Sequence, residues 1–198
     1  MKTLCMDTAH RYLVIGLYEN DCLINAVSRP SWKRQSETIF PELIRLMDEA
    51  GWVSEDIDEI VITDGPGSYT GVRIAMSIAK VFCTTKEVPL YTISTLQLYA
   101  GLKHAYVMLD ARSSRAYFGE LKDGTFLDGP CIMTLDEIQA MNSDPALLIG
   151  DTSLIDVESK EPDFVSNFIA LRPVWNRVEN VHILVPEYLK EQSAYKVG

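Results

Sequence analysis

The sequence predicts an α/β protein of two lobes, each a mixed sheet with helices, divided at residues 1–103 and 104–198. Three observations carry this prediction. Apolar runs at Thr3–Met6, Tyr12–Tyr18 and Cys22–Val27 make a meander of three strands from the start of the chain. Helix, strand, helix, strand and helix follow, an order that requires crossover connections over a layered sheet. The pattern then restarts near Ala105. Tyr106–Leu109 reads as a strand ending in Asp110, as Thr3–Met6 ends in Asp7, and a hairpin follows each.

The elements follow in order. Glu19-Asn20-Asp21 is a turn signal between the second and third strands. Ser28 to Ser36 is polar, carries Arg29, Lys33 and Arg34, and reads as a loop that leaves Trp32 unexplained. From Glu37 to Ala50, Ile39, Phe40, Leu43, Leu46, Met47 and Ala50 recur at three- and four-residue steps, so one broad face of a helix is apolar. Pro41 lies in its first turn and Gly51 stops it. Glu59–Ile62 is a β-branched strand. A glycine loop, Gly65-Pro66-Gly67-Ser68, then feeds a helix beginning at Tyr69, with Ser68 as its N-cap.

That helix is apolar on nearly every side. Gly71, Ala75 and Ala79 form a small-residue face, and Val72, Ile74, Met76, Ile78, Val81 and Phe82 cover most of the rest. Such a helix is buried on more than one side. One side belongs on the sheet. The other needs a second helix, from this chain or from a partner. Pro89–Ile93 is a strand, and Ser94-Thr95 caps a helix over Leu96–Leu102. In the second lobe Asp123-Gly124 joins the strands Arg115–Lys122 and Thr125–Met133. Leu135–Met141 is a short helix and Ala146–Ile149 a strand. Thr152–Ile169 reads as loops, Val181–Leu189 as a last helix or extended segment, and the tail from Lys190 as frayed.

Composition excludes several classes. At 47% hydrophobic and 23% charged, 198 residues make a globular chain able to bury a core. No window reaches the ~18 apolar residues of a membrane span. The chain opens directly into a strand and not into a signal peptide, so a cytoplasmic protein is expected. A net charge of −10 argues against direct, non-specific nucleic-acid binding. Cys5, Cys22, Cys83 and Cys131 form no Cys-x-x-Cys pair, and His10, His104 and His182 are scattered, so no metal site is expected.

The loop Gly65, Pro66, Gly67, Ser68, Tyr69, Thr70, Gly71 with Arg73 is the strongest local feature. Gly71 is followed by Val72 and Arg73, where a P-loop requires Lys and then Ser or Thr. Thr70 stands where a dinucleotide fingerprint requires its third glycine. Two readings stay open: an anion held at the helix N-terminus, or a tight turn that sets the helix close to the sheet. Asp7 and Asp110, each at a strand end, either serve a hydrated Mg²⁺ or bond nearby backbone N–H groups.

The run Gly65 to Ile74 closely resembles the signature of the TsaB family. Asp7-Thr8-Ala9, Ile93-Ser94-Thr95-Leu96 and Asp110-Ala111-Arg112 with Tyr117 extend the likeness over most of the chain. The sequence departs from the family at Arg115, where an acidic residue is usual, and at Ser36, where His is frequent. The resemblance implies the two-lobed actin-like ATPase fold (ASKHA, ribonuclease H-like). It also implies a non-catalytic scaffold or activator that binds the catalytic subunit TsaD. That complex forms N6-threonylcarbamoyladenosine at position 37 of tRNAs reading codons that begin with A. A TsaE-type ATPase joins the larger assembly, the protein pairs with itself when alone, and tRNA is met only indirectly.

The catalytic relative carries a His-x-x-x-His metal pair where this chain has Gln35-Ser36-Glu37-Thr38-Ile39-Phe40, with no histidine. ATP-binding relatives have glycine-rich turns where this chain has Thr8-Ala9-His10 and Gly150-Asp151-Thr152. Asp7, Thr8, Asp110 and Arg112 are thus candidates for a vestigial nucleotide site. No cofactor is expected to be held tightly, and at most a weak nucleotide at the partner interface. Ile39, Phe40, Leu43 and Met47 on one helix and Val72, Ala75, Met76 and Ala79 on the other are the expected partner surface. Two alternatives remain: an autonomous actin-like ATPase or phosphotransferase, and an M22-type peptidase homologue. The second is disfavoured, because Thr70 replaces the last glycine of Gly-x-Ser-x-Gly and no base pairs with Ser68.

Overall fold

The computed structural model describes residues 1–31 and 34–189. Trp32 and Lys33 of the expected polar loop, and the tail from Lys190, lie outside the described residues. Two sheets carry the fold. In the first, β1 (Lys2–Asp7) pairs antiparallel with β2 (Tyr12–Glu19), and β2 with β3 (Cys22–Pro30). On its other side β1 runs parallel to β4 (Glu59–Thr63), and β4 parallel to β5 (Leu90–Ile93). The second sheet repeats this plan. There β6 (Ala105–Asp110) pairs antiparallel with β7 (Arg115–Lys122), β7 with β8 (Thr125–Thr134), and β6 parallel with β9 (Leu148–Gly150). The helices are α1 (Gln35–Ala50), α2 (Tyr69–Lys86), α3 (Thr95–Ala100), α4 (Leu135–Ala140) and α5 (Phe164–Ala170).

Both expected hairpin turns form. Asn20 and Asp21, like Asp123 and Gly124, take positive φ at the two central positions, the geometry that matches strand twist in a two-residue turn. Gly51 ends α1 in the left-handed conformation. Ser94 caps α3, exchanging hydrogen bonds with Gln97.

The first sheet is buried on both faces, and strand alternation divides it between two cores. Leu4 and Met6 of β1 join Ile60 and Ile62 of β4, under α1 and α2. Cys5 and Val61, between them in sequence, face α3, α5 and the second sheet. Double burial explains why these strands read as continuous apolar runs. The second core is common to both lobes. Arg172, just beyond α5, adds a polar tie. Its guanidinium reaches Glu59 at 2.8 Å, Asp21 at 2.6 Å and the Thr3 hydroxyl at 3.2 Å, and lies 4.2 Å from the Trp175 ring.

Two expectations fail in the last third of the chain. Thr152–Ile169 is not all loop, because it contains most of α5. Asp163 caps that helix, accepting from the Ser166 N–H at 3.1 Å, and Phe164 and Phe168 are buried one turn apart. Seven residues are too few for a periodic signal to stand out. The chain also leaves the second lobe. β10 (Asn176–Arg177) pairs antiparallel with β5 at the edge of the first sheet. Residues 178–189 then strap across α2, where Lys80 Nζ donates to the His182 and Leu184 carbonyls and the Glu187 N–H donates to the Asp64 carbonyl at 2.7 Å. No described helix is long and apolar enough to cross a membrane.

Three glycines set the loop before α2. Gly65 takes a positive φ of 122° and lies under the strap, where a Cβ would meet the Glu187 carbonyl at 2.7 Å. Gly67 does not take a positive φ. It is required for another reason: its Cβ would stand 2.3 Å from the Ala9 carbonyl oxygen. Gly71 is equally close to the Thr8 carbonyl oxygen, at 2.3 Å.

Gly71→Ala is therefore expected to destabilise the protein by about 2 kcal/mol or more, since backbone must move to admit the methyl group. Urea unfolding measures it. A second expectation concerns Asp64. Burial raises its pKa to about 6, with the nearby Glu187 adding and a hydrogen bond from Thr92 opposing. An acid raised in the folded state stabilises that state below its unfolded pKa, near 4, and this contribution is lost as pH rises through about 6. Asp64→Asn should therefore gain stability on the order of 2 kcal/mol at pH 7.5 and flatten the stability profile between pH 4 and 6.

Candidate functional site

The residues singled out in sequence come together where the β1–β2 turn meets the start of α2. Thr8 carries the contact. Its hydroxyl donates to the Gly71 carbonyl at 2.7 Å and accepts from the Ala75 N–H at 3.1 Å. It thus bridges the two ends of one i, i−4 pair of the helix. The Ala9 carbonyl accepts from the Ser68 N–H at 2.7 Å. Ser68 caps α2, accepting from the Gly71 N–H at 3.3 Å, and its carbonyl accepts from the Val72 N–H. Gly65 is held from below by the Thr95 N–H and the Ser94 hydroxyl.

The candidate vestigial nucleotide residues are committed elsewhere. Asp7 is 1% exposed, and its Oδ1 accepts from the Ala9 N–H at 3.0 Å and from the Thr63 hydroxyl. Burial raises its pKa, against the pull of those hydrogen bonds. Thr8 is spent on α2. Asp110 Oδ1 accepts from the Arg112 N–H at 2.7 Å. These are the backbone-capping roles open to Asp at a strand end. Among the described residues no cluster of three or more His, Cys, Asp and Glu side chains could hold a metal.

Between the lobes lies a polar cleft of 280 Å³, lined by Ser68, Thr70 and Gly71 of the loop and by Arg112, His10 and Gln35. Arg112, expected in a vestigial nucleotide site, lies here beside the loop, and His10 was not expected at either place. The imidazole is buried, with Nε2 2.6 Å from Asp151 Oδ2. The same carboxylate pairs with Arg11 and accepts from the Asp110 N–H at 2.7 Å. Burial and the Arg11 guanidinium lower the His10 pKa to about 4, against the opposite pull of Asp7 and Asp110. His10 and Asp151 are 141 residues apart, and no local pattern marks them as a pair.

The expected partner surface requires correction. Ile39, Leu43, Val72, Ala75, Met76 and Ala79 are buried in this chain's own core, and Met47 is partly buried against it. The small-residue stripe of α2 sits on the sheet and the β1–β2 turn, and α1 supplies the cover beside it. The exposed apolar surface lies one step round the same helices. Phe40 of α1 and Ile74, Ile78, Val81 and Phe82 of α2 line a groove of 670 Å³. Phe40 is 54% exposed and Val81 69%. At one end of the groove Tyr69 stacks on Tyr188 of the strap at 5.5 Å. Arg73 lies over the Tyr69 ring at 4.1 Å and donates to the Tyr188 hydroxyl at 2.8 Å. Tyr69 and Arg73 therefore face the groove and the strap, whereas Ser68 and Gly71 face the polar cleft.

Comparison with known proteins places this geometry in a family. A family model described as TsaD, tRNA N6-adenosine threonylcarbamoyltransferase, matches residues 29–147. A Bacillus subtilis protein named tRNA threonylcarbamoyladenosine biosynthesis protein TsaB is 28% identical over 98% of this chain and 96% of its own length. The Escherichia coli protein of the same name is 30% identical over 61% of this chain and 54% of its own. A crystal structure from Pseudomonas aeruginosa, of a protein described as similar to the peptidase YeaZ, superposes with a TM-score of 0.79 at 21% identity, covering 96% of this chain and 99% of that one. The fold is shared with that structure, and its two mixed sheets with helices are those the sequence predicts. Since the family model spans more than half of the chain, across both sheets, the protein belongs to the TsaD family and is of its TsaB/YeaZ type.

Proposed function

We propose that the protein is a partner subunit, without catalysis of its own, in the formation of threonylcarbamoyladenosine in tRNA. It docks a TsaD-type catalytic subunit on the α1–α2 groove. The observation that carries this reading is the groove itself. Two helices whose inner faces are already satisfied by the core still present Phe40, Ile78 and Val81 to solvent around a 670 Å³ depression. Apolar surface of this kind, rimmed by Ser36, Ser77 and Arg73, fits a protein partner.

Further support comes from what the polar residues already do. The hydroxyl of Thr8, one carboxylate oxygen of Asp7 and the cap of α2 are engaged in internal hydrogen bonds. Phosphoryl transfer depends on such groups being turned toward the nucleotide. The names of the Bacillus and Escherichia relatives supply the pathway. The protein holds no cofactor tightly, meets tRNA through its partner, and works in the cytoplasm. A TsaE-type ATPase joins the assembly, and in isolation the same groove pairs two copies of the chain.

Val81→Asp should abolish the complex with the TsaD-type subunit, read as the loss of the heterodimer mass by light scattering, while circular dichroism stays unchanged. A complex that survives this substitution overturns the docking site. Ala75→Asp is no substitute, because Ala75 is fully buried and the charge would unfold the chain. Calorimetry of Mg-ATP against the isolated protein should show no binding. Micromolar binding lost in Asp7→Ala would instead support an autonomous ATPase.

A further inference from the structure

A second polar pocket borders Asp151, on a part of the molecule that the docking role does not use. It measures 230 Å³ and is walled by Arg11 and Tyr12 at the start of β2, Tyr99 of α3, Asp151, and Lys160 and Glu161 of the loop before α5. Tyr99 is the telling residue. It is 3% exposed, yet its hydroxyl has no hydrogen-bond partner among the described residues. It is not one of the two fully enclosed unsatisfied atoms there, so the hydroxyl opens into the pocket. A buried phenol normally finds a partner, and one held open to a cavity awaits it from outside the chain.

The other walls supply donors. The Tyr12 hydroxyl also has no partner among the described residues, and Lys160 forms no ion pair there. Both tyrosine rings are fixed by Phe164, at 4.9 Å from Tyr12 and 4.8 Å from Tyr99. Asp151 contributes no free acceptor. One of its oxygens is taken by Arg11 and the other by His10 and the Asp110 N–H, so its work is to hold the guanidinium at the rim. Glu161 is the single uncommitted carboxylate. Two phenols, an ammonium and the outer N–H groups of a pinned guanidinium thus converge, against one acceptor, in a chain of net charge −10. Charged donors of this kind select oxyanions.

We propose that this pocket binds a small oxyanion, a phosphate or a short carboxylate, through Arg11, Lys160 and the hydroxyls of Tyr12 and Tyr99. Its volume lies below the ~300 Å³ at which sites for drug-sized ligands begin, so a whole nucleotide does not fit. The site is independent of the α1–α2 groove, and the loss of one leaves the other intact.

The test is titration of the full chain with sodium phosphate, and separately with sodium acetate, at constant ionic strength. Calorimetry and thermal shift read the result. Saturable binding of either ion is expected, and the ion that binds identifies phosphate or carboxylate as the ligand class. Tyr99→Phe removes one oxygen and keeps the ring packing, and should weaken binding about tenfold. Lys160→Gln, on an exposed loop where folding is not at stake, should do the same. Lys122→Gln, distant in the β7–β8 hairpin, should not. The proposal falls if neither ion saturates, or if Tyr99→Phe and Lys160→Gln bind as the unsubstituted protein does.

Discussion

The contact between Thr8-Ala9 and Gly67–Gly71 sets the rest of the molecule. Two carbonyl oxygens of the β1–β2 turn stand where the Cβ atoms of Gly67 and Gly71 would be. Only glycine permits this approach. Once the turn is that close, its groups serve α2. Thr8 bridges a backbone pair inside the helix, and Ala9 accepts from the Ser68 N–H that leads into it. A helix N-terminus of this kind commonly receives a phosphate. Here the glycines also admit the chain's own backbone, whose Ala9 carbonyl takes the Ser68 N–H that leads into the helix.

The same contact fixes the orientation of α2 and so decides which face is left over. With Gly71, Ala75 and Ala79 turned to the sheet, Val72 and Met76 fall into the core beside α1. Ile74 and Ile78, one step further round, are only partly covered, and Val81 is exposed. An apolar helix read by composition alone shows that more than one side is buried. It does not show which residues the chain itself will bury. That depends on the rotation of the helix, and the rotation is set by Thr8, sixty-odd residues earlier in the sequence.

Much of the fold was legible because its signals are local. Strand alternation, the Asp123-Gly124 turn, the Gly51 stop and the Ser68 and Ser94 caps each act within a few residues. The glycine loop between β4 and α2 was legible for the same reason. What escaped is non-local or short. The pairing of His10 with Asp151 spans the two lobes, α5 has only two turns, and β10 has two residues whose place at the sheet edge is set by the partner strand. Most residues expected at a partner surface turn out to face the core, since periodicity gives a face without its phase relative to the core.

The two lobes are tied to each other by packing and by charge. In a nucleotide-driven clamshell the two lobes must part. Here they share one core, in which Cys5, Val14 and Val61 of the first sheet meet Val107, Leu109 and Tyr117 of the second. Arg172 of the second half bonds Glu59, Asp21 and Thr3 of the first through one guanidinium. Separating the lobes would strand a half-buried arginine and the buried Glu59 carboxylate, an outcome that ordinarily costs about 3–5 kcal/mol once one partner of such a pair is lost. The strap from β10 to Tyr188 then returns from the second lobe and lies along α2, ending on Tyr69 and Arg73 at the edge of the groove. The groove is therefore bounded by segments from both halves of the chain.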